Sequence, residues 1–181
     1  MLELALHVLD LLQNAVEAGA SRVQLSILED RQADRLTITV ADNGRGMDAQ
    51  TARQVLNPFY TTRTTRHVGL GLPLLVAAAE AAGGGLTIES AAGQGTTVQV
   101  VFQLSHPDRQ PLGDMAGTLL AFLLSERAPE LAYEHRTAAG AFEFDTAAIR
   151  AELGDVPLNE PLVVAWLADF LFEGEAEISL R

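Results

Sequence analysis

At 181 residues, 48% of them hydrophobic, the chain is long enough for one packed domain, or one domain with a small appendage, that folds on its own. A formal net charge of −12 opposes phosphate-backbone binding, which needs clustered cations, so no nucleic acid is expected as a partner. The lack of cysteine excludes disulfides and thiolate sites, and the four histidines show no zinc spacing, so any metal must be a hard ion on oxygen ligands.

No apolar run approaches the roughly 18 residues of a membrane span, so no membrane insertion and a cytoplasmic location are expected. The spacing over residues 2–18 predicts a helix with Leu2, Leu6, Leu9, Leu12 and Val16 on one side. Opposite them lie Glu3, His7, Asp10, Gln13, Asn14 and Glu17, with Gly19 ending the helix. His7, Asp10 and Asn14, at i, i+3 and i+7, project from one face, which reads as a solvated surface or as the wall of a site.

Strands are predicted at 22–28 and 35–41. The second runs into "ADNGRGM". An Asn-Gly pair after the alternating Leu36, Ile38 and Val40 would ordinarily turn a hairpin, but no second strand follows. Arg45 and Gly46 intervene, and Asp48 opens a short helix to about residue 56. Two glycines beside an acid at a strand's end are either a glycine-adapted turn or a floor for something bound. Next, "NPFYTTRTTRHVGLGLP" is too polar and glycine-punctuated for a regular element, and loops of that length are usually functional. It leads into a helix over 71–82 with Pro73 early in it, and two strands, 86–91 and 96–104, flank the turn "AAGQG".

"SHPDRQPLGD", 105–114, has the composition of a linker. Beyond it the pattern predicts a helix at about 112–126 and short strands at 131–136 and 141–144. A helix capped by Asp145 follows, then a last one capped by Asn159 with Pro161 in its first turn. Residues 115–181 therefore read as a small α+β appendage for docking or dimerisation, a homodimer being one use of it.

Taken together, "LDLLQNAVEAGA", "DNGRGM", "NPFYTTR", "VGLGL" and "GQGTTV" resemble the successive boxes of the Bergerat-fold ATPase superfamily. That superfamily unites gyrase B subunits, MutL mismatch-repair proteins, the large heat-shock chaperones and sensor histidine kinases. The resemblance covers residues 1–104 and implies a two-layer α/β sandwich with a mixed sheet, binding ATP with Mg2+. By the same matching, Asp42 accepts a hydrogen bond from the adenine amino group, within a nucleotide floor that includes Gly44, Gly46 and Met47. Gly46 lets the backbone approach the base. Thr96 joins the adenine through water, and Asn14 supplies a side-chain oxygen to magnesium. The long loop resembles the family's ATP lid, with Phe59 and Thr62 in its phenylalanine box. Arg63 or Arg66 is its phosphate-facing charge, unless either is solvated loop charge, and Gly69, Leu70, Gly71 and Leu72 close it. His67 and Val68 depart from the fuller glycine pattern of the family's kinases.

The first box begins within ten residues of Met1, so no phosphoacceptor hairpin is expected ahead of it, and His7 is not expected to be phosphorylated. This leaves a kinase acting on a partner protein, a slow ATPase, or an ATP-gated binding module. Asp10, four residues before Asn14, matches the position where hydrolytic members carry a water-activating glutamate. Its shorter side chain makes it a catalytic candidate of limited reach. The tail "FEFDTAAIRAELGDVPLNEPLVVAWL" looks like that of stand-alone bacterial ATP-binding proteins encoded with iron-only hydrogenase or related redox complexes. That likeness implies a partner in a regulatory or redox complex.

Overall fold

β1 (Arg22–Asp30) and β2 (Arg35–Asp42) alternate apolar and polar side chains, and a pleated strand sends such a pattern to opposite faces. Their antiparallel pairing sets Leu25 opposite Val40 and Ile27 opposite Ile38, so one face is continuous hydrocarbon. β4 (Gly95–Gln103) extends it, placing Val98, Val100 and Phe102 beside Val40, Ile38 and Leu36. β3 (Gly85–Ala91) pairs antiparallel with β4 at the edge. The computed structural model describes residues 3–55 and 71–179.

On the other side of β1 the sheet continues with chain from beyond the 105–114 segment. β5 (Glu130–Thr137) runs parallel to β1, and β6 (Gly140–Asp145) pairs antiparallel with β5. Among the described residues the sheet has six strands, in the order β3-β4-β2-β1-β5-β6. The helices are α1 (Leu4–Glu17), α2 (Ala49–Gln54), α3 (Gly71–Ala81), α4 (Met115–Leu123), α5 (Thr146–Leu153) and α6 (Pro161–Ser179). α1 packs against α3 and α4, and α4 against α6, over the apolar face of the sheet. The opposite face presents Gln24, Gln99, Arg136 and Glu143 to water. This is an α+β, two-layer sandwich on a mixed sheet, as expected.

Two features differ from the sequence reading. The C-terminal α+β unit is present but not set apart, because Leu131, Tyr133, Phe142, Phe144, Leu167 and Leu171 belong to the same buried cluster as Leu4, Leu12 and Leu25. Arg22 of β1 also pairs with Glu130 at 3.3 Å and with Asp145 at 2.8 Å, tying both halves at the surface. The 105–114 segment is likewise structural. Glu3 makes no side-chain cap, and the first N–H groups of α1 instead meet the carbonyls of Pro111 (2.9 Å) and Leu112 (2.8 Å). Asp114 then caps α4 through the Gly117 N–H, so that helix starts at Met115 rather than 112.

The second difference is the phase of α1. Leu4, Ala5, Val8, Leu11, Leu12 and Ala15 are buried, whereas Leu6 is 38% exposed and Leu9 and Val16 sit at the margin of the core. Leu2 lies outside the described residues. The apolar arc of this helix is wide, running from Leu4 and Leu11 through Val8 and Leu12 to Leu9, so more than one stripe within it satisfies a period of 3.6. Sheet and α4 choose between them, and the choice buries His7.

Candidate functional site

Asp42 ends β2 on the same face as Leu36, Ile38 and Val40, which directs it toward the helical layer. Its Oδ1 accepts the Gly44 N–H at 2.8 Å, and Asn43 Oδ1 accepts the N–H groups of Ser21 (2.9 Å) and Arg22 (3.0 Å). The turn is thus sewn to the α1–β1 connection. Arg45 donates its N–H to the Ala18 carbonyl (2.9 Å) and its Nη1 to the Glu17 carbonyl (2.7 Å), and its own carbonyl accepts from Gly93 N–H (2.7 Å).

The glycines of this loop are required by the chain itself. A Cβ on Gly44 would lie 2.7 Å from Ala18 Cβ, and one on Gly46, at φ +62°, would lie 2.0 Å from the Ala91 carbonyl oxygen. Close approach to the β3–β4 turn therefore accounts for Gly46, beside the role that the family resemblance implies. Asp48 closes the loop by accepting the Gln50 and Thr51 N–H groups at the start of α2. The Thr51 N–H, first among its hydrogen-bond partners, holds the Asp48 carboxyl below its usual range.

Met47 N–H donates to Ser90 Oγ at 2.8 Å. Ser90 Oγ also lies 3.0 Å from the Gly95 carbonyl and 2.9 Å from Thr96 Oγ1. Thr96 stands opposite Asp42 in the β2–β4 register and opposite Ser90 in the β3–β4 register. Asp42, Met47 and Thr96 are thus brought together around Ser90, which sequence reasoning missed. The signal was its place across the sheet from Thr96.

On α1, Asp10 and Asn14 occupy successive turns of one face. Asp10 Oδ2 lies 3.0 Å from where a Gly71 Cβ would stand, so its carboxylate rests against the first residue of α3. Leu72, the next residue, is packed on the core. Asp10 thus lies beside the first described residue of α3, with Asn14 one turn further along the same face of α1. His7, one turn from Asp10, is 3% exposed, with Gln110 as its polar side-chain neighbour and no geometrically formed hydrogen bond to either ring nitrogen among the described residues. Burial is the largest influence that holds its pKa below the usual 6.5. It is therefore not part of a solvated stripe. Phe59, Thr62, Arg63, Arg66, Gly69 and Leu70 lie outside the described residues. A concavity lined by Gln24, Ser26, Thr39, Ala41 and Glu134 opens on the far face of the sheet from Asp42 and is separate from this arrangement.

Residues 2–106 match the family of histidine kinase-, DNA gyrase B-, and HSP90-like ATPases. The chain belongs to that family. Sporulation kinase C of Bacillus subtilis is 34% identical over 96 residues, 53% of this chain and 22% of that protein. Signal transduction histidine-protein kinase AtoS of Escherichia coli is 30% identical over 103 residues, 56% of this chain and 17% of that kinase. This ATPase-family chain thus spans about a fifth of the length of these kinases. The N-terminal domain of a DNA repair protein shares the fold, with a TM-score of 0.58 at 17% identity over 79% of this chain and 52% of that one.

The family binds ATP, and the donor set fits an adenine nucleotide. Asp42 is a carboxylate acceptor with hydroxyl-bearing Thr96 beside it in the β2–β4 register. Among the described residues, no group of three His, Asp or Glu side chains forms a cage for a metal. An ion here would draw on the Asn14 amide oxygen, phosphates and water, the habit of magnesium.

Proposed function

We propose that this histidine kinase-like domain binds ATP with magnesium and turns it over slowly, as a regulatory kinase toward a partner protein or as a weak ATPase. The contact of the Asp10 carboxylate with Gly71 carries the reading, because it directs the acid to the end of α3 where phosphates would be held. Asp42 supplies adenine selectivity. Guanine carries a carbonyl where adenine carries the amino group, and two acceptors facing each other would leave both unpaired. Asn14 supplies the magnesium-facing oxygen, and Thr96 an acceptor for bridging water.

Asp10 holds or accepts the proton of the attacking water or hydroxyl. A positioned base is worth roughly 10²–10⁴ in rate, and an aspartate, one methylene shorter than glutamate, gives up part of that. Likeness to sensor kinases supports action on a protein substrate, and the tail's likeness to redox-associated proteins supports a regulatory or redox complex as its setting.

The test is turnover, measured as phosphate release and as label transfer to candidate partner proteins. Asp10→Asn should leave ATP affinity nearly unchanged while abolishing turnover, and Asp10→Glu should raise it. If ATP binds but neither substitution changes either reaction, the protein is an ATP-gated binding module without turnover.

A further inference from the structure

α6 buries Val163, Leu167 and Leu171 against the sheet and α4, and Gly174 lets it approach closely, since a Cβ there would lie 2.2 Å from the Phe142 ring. The opposite side exposes large apolar residues interleaved with carboxylates. Leu162 is 81% exposed, Trp166 47% and Phe172 49%, with Ala165 and Ala176 exposed along the same stripe. Helical spacing of three, four and seven residues makes these one face.

Trp166 is held as a platform. Its ring stacks on Phe170 at 5.3 Å with planes 15° apart, and Phe170 in turn packs on Phe142 (5.4 Å) and Phe144 (6.2 Å). One indole face is therefore covered and fixed, and half of the residue remains in water. Asp169 and Glu173, both exposed, follow Trp166 at i+3 and i+7, and Glu177 stands one turn further. No basic residue occurs from Ala151 to Ser179. Two copies of this face would set the helix's carboxylates against one another, which disfavours self-association through it.

We infer that the outer face of α6 docks a partner segment of the opposite kind, an amphipathic helix with apolar side chains flanked by arginine or lysine. A cation over the open indole face gains from the ring quadrupole. The same cation stands within a turn or two of the Asp169 and Glu173 carboxylates, and Leu162 and Phe172 take the partner's apolar residues. Aromatic anchors already fixed in place lose little freedom on docking. The inference does not depend on nucleotide binding.

Trp166 is the only tryptophan of the chain, so its emission reports on this face. The probes are a designed 18-residue helical peptide with a leucine face and an arginine face, and its counterpart with glutamate for arginine. The arginine peptide should shift the emission to shorter wavelength, saturating at one peptide per chain, and the glutamate peptide should not. Asp169→Asn with Glu173→Gln should weaken the arginine peptide about tenfold or more. Glu80→Gln with Glu89→Gln, on the α3 and β3 side, should leave it unchanged. Trp166→Leu, followed by anisotropy of labelled peptide, should weaken it as well. Equal binding of both peptides, or indifference to Asp169 and Glu173, overturns the inference. So does an emission shift that grows with protein concentration alone, which would mean that a second copy occupies the face.

Discussion

Ser90 has one proton to give and two lone pairs to offer, and its surroundings use all of them. It accepts the Met47 N–H, and if its own proton goes to the Gly95 carbonyl, Thr96 must be the donor in the remaining contact. Thr96 then keeps its lone pairs for whatever lies beside Asp42, which suits an acceptor for water or an exocyclic amine. Ser90→Ala should cost about 1–3 kcal/mol, because it leaves the Met47 N–H without its partner. It should also weaken nucleotide affinity, with Ser90→Thr restoring both; thermal denaturation and calorimetry measure the pair. Asp42 and Thr96 stand in short motifs that the sequence displays. Ser90 lies in an ordinary strand and acquires its role only through cross-strand register.

At the scale of elements, α6 is fastened to the sheet by a buried acid–base group. Glu175 accepts from Tyr133 Oη–H at 2.7 Å and lies 2.9 Å from His135 Nδ1, and Glu29 approaches His135 Nε2 at 3.6 Å. Burial, the largest single influence, opposes the imidazolium, yet Glu175 and Glu29 together raise His135 to about 9. Tyr133 is pushed above its usual range by burial and by Glu175. A raised pKa means that the contribution of His135 is complete below about 6.5 and is lost as pH rises through about 9. His7 has the opposite sign: its lowered pKa takes stability away as pH falls below 6.5. The chain has no lysine, so few other groups blur the alkaline limb. The melting temperature should therefore fall from pH 7 to 10, and Glu175→Gln should lower it at pH 7 and flatten that fall. Parallel profiles for the two proteins would mean that the group does not stabilise the fold. The strands were legible in the sequence because a period of two admits one buried face. α1 was not fully legible, because a helix with a wide apolar arc leaves its exact phase to its neighbours.

For the whole molecule, the parallel β1–β5 pairing makes one body of the ATPase-family region and the tail. Such a non-local register leaves no local mark in sequence, and the polar composition of 105–114 hid its backbone contacts with α1. Ending the chain at residue 106 would uncover the β1 edge and strip α4 from α1. That fragment should lose cooperative unfolding and precipitate; a soluble fragment that melts like the full chain would contradict the single core. The proposed function makes the full 181-residue chain an adenine-selective, magnesium-dependent ATP-binding domain. Calorimetric titration of the full chain with ATP and GTP, with and without magnesium, tests it most directly alongside Asp42→Asn and Asn14→Ala. Magnesium-ATP should bind and stabilise the fold by about 2.7 kcal/mol at a hundredfold excess over Kd. Asp42→Asn should lose the adenine preference, and Asn14→Ala the magnesium-dependent part of affinity. No heat of binding for either nucleotide, or equal affinity for ATP and GTP in the unmodified chain, would contradict it.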